Sequence, residues 1–69
     1  MNFYKLDLPL IPTLYFLDLN YTTQEDGETW HWFLCLNNGS KQQMKSKQRF
    51  AFERIEYKDI PQSQISETP

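Results

Sequence analysis

Sixty-nine residues with a net charge of −2, one histidine and one cysteine bound this chain to one small domain. Such a domain buries only about 60% of its unfolded surface. It can form no internal disulfide and has too few ligands for a dedicated metal centre, so no metal or cofactor is expected. The small charge does not announce a nucleic-acid partner. Lys5, Asp7 and Asp18 interrupt the apolar N-terminal stretch, and no run approaches the ~18 residues of a membrane span, so neither a signal peptide nor a membrane association is expected. With a lone thiol as well, a reducing cytoplasm is the expected location.

Residues 2–8 alternate, with Tyr4, Leu6 and Leu8 on one face and Phe3, Lys5 and Asp7 on the other, which predicts a first strand. Pro9 and Pro12 bracket Leu10 and Ile11. Proline donates no ladder hydrogen bond, so this piece reads as a connector or an edge with its two aliphatics turned inward. Residues 13–23 predict a second strand, with Tyr15, Leu17, Leu19 and Tyr21 on one face and Leu14, Phe16, Asp18 and Asn20 on the other. The polar run of residues 24–28, with its glycine, is a hairpin loop that makes the next strand an antiparallel neighbour.

That third strand, residues 29–37, holds both tryptophans, the histidine and the cysteine. Trp30, Trp32, Leu34 and Leu36 form a wholly apolar face, while the His31, Phe33, Cys35 and Asn37 face is apolar only in its middle. A strand covered on both sides near its centre fits this pattern. Asn38-Gly39 signals a type I′ hairpin, because both residues tolerate positive φ.

Residues 40–57 are ambiguous. Ser40 and Gln43 have capping-box spacing, and Met44, Gln48, Ala51, Phe52 and Ile55 make a helical stripe. Phe50, Phe52, Ile55 and Tyr57 would instead share a strand face if a bulge lay near Glu53 and Arg54. The strand reading of residues 49–57 is preferred, with residues 40–48 as a charged edge strand or a short helix. Residues 62–69 read as a disordered tail after a single β-rich domain spanning residues 1–61. The expected fold is mainly β, a small antiparallel sheet or partly open barrel of about four to five strands, with an α+β alternative if residues 40–57 hold a helix.

Few residues suggest chemistry. His31 and Cys35 share a strand face, but four residues of strand separate them by about 13 Å, beyond hydrogen-bond reach. The expectation is a non-enzyme, with a solvent-edge histidine and an inert buried thiol. Glu25, Asp26 and Glu28 lack the ligand spacing of a calcium loop.

Binding is the better guess, since eleven aromatics (five Phe, four Tyr, two Trp) exceed what a small sheet with one covered face buries. Tyr15, Tyr21, Trp30, Trp32 and Tyr57 are the types that dominate interface hot spots. The charges are segregated: Asp18, Glu25, Asp26 and Glu28 stand together without a base, and Lys41, Lys45, Lys47 and Arg49 without an acid.

The leading expectation is a protein–protein interaction module, a small inhibitor or adaptor, contacting its partner through Asp18, Tyr21, Glu25, Asp26, Glu28 and Trp30. One alternative is a small nucleic-acid-binding barrel using Lys41, Lys45, Lys47 and Arg49 beside aromatics. Another is a self-assembling subunit, a homodimer.

Overall fold

The computed structural model describes residues 1–65, and at positions 49 and 50 the backbone alone. Five strands form one open antiparallel sheet: β1 (Phe3–Leu6), β2 (Leu14–Glu25), β3 (Glu28–Cys35), β4 (Lys41–Lys45) and β5 (Glu53–Ile55), in the order β4-β3-β2-β1-β5. The long hairpin β2–β3 is the backbone of the molecule, and its turn is tighter than the loop expected over residues 24–28. Asp26 and Gly27 take φ of 51° and 76°, and Glu25 pairs directly with Glu28. Two successive positive φ angles define the twist-matched two-residue hairpin turn.

The predicted type I′ turn at Asn38-Gly39 does not form. Of the pair, Gly39 alone takes a positive φ, 75°. The Gly39 N–H donates to the Cys35 carbonyl and the Cys35 N–H to the Ser40 carbonyl, each at 2.8 Å, which closes a longer loop. Side chains explain the choice. Asn38 Oδ1 accepts from the Ser40 N–H at 2.9 Å and from its hydroxyl at 2.7 Å, and Asn37 accepts from the Tyr15 N–H at 2.8 Å while donating to the Thr13 carbonyl at 3.2 Å.

The core lies on the face that looked less apolar. Phe16, Phe33 and Cys35 are fully buried, packed by Tyr4, Leu6, Leu14, Met44 and Phe52. Because β4 and β5 are opposite edges, the chain between them must cross the sheet. A 3-10 helix, Ser46–Ala51, begins that crossing, and Phe52 ends it. The Phe52 ring stacks on Phe16 (5.0 Å, 13°) and meets Phe33 at 5.3 Å and Tyr4 at 6.0 Å. Residues 49–57 are therefore not one strand. β1 offers partners to three residues only, in the pairs Phe3↔Ile55, Tyr4↔Arg54 and Lys5↔Glu53. Phe52 joins the core, while Ile55 shares the opposite face with Phe3; the Phe50 side chain lies outside the described part.

On that opposite face, Tyr57 tilts against Phe3 with ring centroids 5.3 Å apart and Ile55 is buried; Ile60, beyond the strand, is buried too. The C-terminal segment thus reaches the β1 end of the sheet. It includes 3-10 turns at Tyr57–Asp59 and Gln62–Gln64, the second at the start of the predicted tail. Residues 66–69 of that tail lie outside the described residues.

Leu10 and Ile11 do not turn inward. Leu8, Leu10 and Ile11 are exposed, Leu10 completely and at φ 71°. Pairing of β1 with β2 stops at Leu6↔Leu14, and the Thr13 hydroxyl donates to Asp7 across the base of the loop, so its apex projects from the sheet.

Candidate functional site

Two extra residues in β2 shape the uncovered half of the sheet. Asp18 pairs with Phe33 and Thr22 with His31, so Leu19, Asn20 and Tyr21 stand opposite Trp32 alone. Adding two residues keeps the side-chain alternation while bending the strand. Asn20 absorbs the distortion at φ 60°, and its N–H is held by Asp18 Oδ1 at 2.8 Å. The bulge delivers Tyr21 onto Trp32, stacked at 6.0 Å and 18°. Trp32 in turn donates its indole N–H to Thr23 Oγ1 at 2.9 Å.

Next along the same face is Trp30, paired across the sheet with Lys45. The Lys45 ammonium lies 5.4 Å from the Trp30 ring centroid and 2.7 Å from a Glu28 carboxylate oxygen. This is a cation–π contact anchored by an ion pair. The hydrogen bond from Lys45, helped by the charges of Lys45 and Lys47 against a smaller desolvation cost, holds the Glu28 carboxyl below its ordinary range. Trp30's own indole N–H is buried with no acceptor among the described residues. A shallow cavity of about 340 Å³ adjoins this group, lined by Glu28, Thr29, Lys45, Ser46 and Lys47. The pairs Trp32↔Gln43 and Leu34↔Lys41 place Gln43 and Lys41 on this face as well.

The residues singled out in the sequence do not all meet here. Tyr21, Trp30 and Glu28 belong to the face, with Glu25 beside Glu28 and Asp26 exposed in the turn. Asp18 is on the core side opposite Phe33, and its carboxylate serves the bulge. The four acids therefore do not form one patch, and the acidic and basic segments meet at Glu28–Lys45. Of the four bases, Lys41 and Lys47 are exposed, Lys45 is engaged, and the Arg49 side chain lies outside the described part. Tyr15 is partly buried, and Tyr57 is exposed beside Phe3 at the other end of the sheet.

His31 shares a hydrogen bond of 2.7 Å between its Nε2 and Ser46 Oγ, while Cys35 is enclosed in the core. Among the described residues there is no group of three or more His, Cys, Asp or Glu side chains placed to hold a metal ion. No helix of the described residues is long and apolar enough to cross a membrane.

Sequence reasoning missed Lys45 as the partner of Trp30. A type I′ turn at residues 38 and 39 would have set Trp30 against Lys47, whereas the longer loop shifts β4 by two residues and preserves its facing. Asn37, which ties β3 to the start of β2, carried no signal beyond its place at the strand end. No protein-family model, curated protein or solved structure matches the chain.

Proposed function

We propose that this protein is a non-enzymatic binding module whose partner is another protein, engaged by the Tyr21, Trp32 and Trp30 face of the β2–β3 hairpin and by the acidic turn at its tip. The observation that carries this reading is the Tyr21–Trp32 stack, held at the surface by a bulge with a non-glycine residue at positive φ. A left-handed Asn costs free energy, and such backbone strain clusters where presentation of a side chain matters. Stacked aromatics lose little side-chain entropy on binding, and Tyr and Trp dominate hot spots. The Glu28–Lys45 pair makes the rim polar, as protein interfaces are, and Glu25 and Asp26, exposed and with no ion pair among the described residues, are available to a basic neighbour. The proposed setting is the cytoplasm.

Reversing the tip with Glu25→Lys and Asp26→Lys, both exposed, tests the charge component. The expected result is slower association with the captured protein partner and a reversed salt dependence, with the fold unchanged by circular dichroism. Equal association rates for both forms would remove the acidic tip from the interface.

A second reading, a nucleic-acid surface, draws on Lys41, Gln43 and Lys45 sharing the face of Leu34, Trp32 and Trp30. It ranks lower because Lys45 is already bound to Glu28, so a phosphate there must displace a carboxylate. Binding to a thymidine oligonucleotide that weakens steeply with salt would favour it.

A further inference from the structure

We infer that the free edge of β4 takes an extended acidic segment of the partner as a sixth strand, an inference that rests on the protein-binding reading above. β4 ends the sheet. In an antiparallel ladder, alternate residues direct their N–H and C=O away from the neighbouring strand. The Lys45 N–H fixes the phase, because it donates outward to the Gln48 side chain at 2.9 Å. By the two-residue period, the amides and carbonyls of Lys41 and Gln43 also point outward. That gives a short docking edge with a defined stop, the Gln48 amide at Lys45.

Charge selects the occupant. Lys41, Gln43 and Lys45 project their side chains onto the aromatic face, where an incoming strand would set its alternate residues directly opposite them. A second copy is disfavoured. Antiparallel β4–β4 pairing centred on Gln43 would place Lys41 against Lys45 twice, and in-register parallel pairing would stack like on like, so the edge repels itself. Lysines therefore guard this edge against self-pairing, and Lys41, exposed and with no ion pair among the described residues, favours a strand that carries a carboxylate opposite it, whereas Lys45 is already paired with Glu28.

The test is amide exchange in the full-length ¹⁵N-labelled protein titrated with a blocked Glu-Val-Glu-Val-Glu peptide, and separately with Lys-Val-Lys-Val-Lys. Exchange at Lys41 and Gln43 is expected to slow at least about tenfold with the acidic peptide and not with the basic one. Lys41→Glu should weaken the acidic peptide by about tenfold and allow the basic peptide to bind. Gln43→Pro should abolish strand addition yet keep the β3–β4 ladder, because its N–H faces away from β3.

Three results would overturn the inference: unchanged exchange at both amides, slowing that rises with protein concentration alone, or a thymidine oligonucleotide binding the lysines in place of the peptide. In capture from nuclease-treated lysate, a protein held equally by wild type and by Gln43→Pro but lost on Tyr21→Ala would sink the edge inference and leave the binding reading standing. Absence of any captured protein would remove the binding reading itself.

Discussion

Tyr21 lies nearly parallel to Trp32, 18° from coplanar at 6.0 Å, across a point in the ladder where three residues of β2 face one of β3. The two rings meet because the bulge swings Tyr21 over its neighbour. A regular β2 would set a single residue opposite Trp32. The arrangement depends on Asn20, which occupies a left-handed backbone position and is secured by the Asp18 carboxylate.

Replacing Asn20 by Val should destabilise the protein by about 1–2 kcal/mol, since a β-branched residue is poorly tolerated at positive φ. Asn20→Gly should be nearly neutral in stability. Urea unfolding gives the energies. Near-ultraviolet circular dichroism reports the stack, and its tryptophan signal should change in Asn20→Val while the far-ultraviolet spectrum does not.

Among the described residues, Phe52 is the core ring supplied from outside the sheet, by the crossover from β4 to β5. Phe52→Ala should cost about 3 kcal/mol, a large share of the stability of a domain this small. Cys35, shielded by the same cluster, should then react faster with a thiol reagent in the native state. A thermal melt and the modification rate check both statements.

How far the sequence spoke for itself differs between elements. Alternation located β2 and β3, and the polar, glycine-containing run located the hairpin between them, while residues 40–48 read either as a charged edge strand, the form β4 takes, or as a short helix. The identity of the buried face was not legible. Counting apolar residues favours Trp30, Trp32 and Leu34, yet Phe33 and Cys35 are the buried ones, because Phe52 arrives from far along the chain to cover them. The polar residues that made this face look exposed are satisfied locally, Asp18 by the Asn20 N–H and His31 by Ser46. Loop conformation escaped for a related reason: Asn38 bonds its own neighbour rather than taking positive φ, and that choice sets Lys45 on Trp30.

Glu25 and Glu28 face each other directly at the end of the hairpin, and Lys45 neutralises only Glu28. Glu25→Thr should therefore stabilise the fold by about 0.2–1 kcal/mol, by removing a like-charge cross-strand pair. The shift of the urea midpoint at low salt measures it, and the gain should shrink at high salt.

Acidification should loosen the same group. Glu28 is held below its ordinary range first by the hydrogen bond from Lys45, and Asp7 first by the hydroxyl of Thr13. A depressed carboxyl stabilises the fold above the unfolded-state value, about pH 4, and that contribution is lost as pH falls through the lower folded-state value. Lys45 is then released from Glu28, so Trp30 emission should change below about pH 4. In Glu28→Gln this acid-side change should be absent.

The most direct test of the binding face is affinity capture from nuclease-treated lysate of the source cells, comparing wild type with Tyr21→Ala. Tyr21 is 44% exposed, so its truncation spares the core. A stoichiometric protein should be held by wild type and bound at least about tenfold more weakly by Tyr21→Ala, as expected of a hot-spot aromatic. Equal capture by both forms, or loss of all bound material with the nucleic acid, would contradict the binding reading.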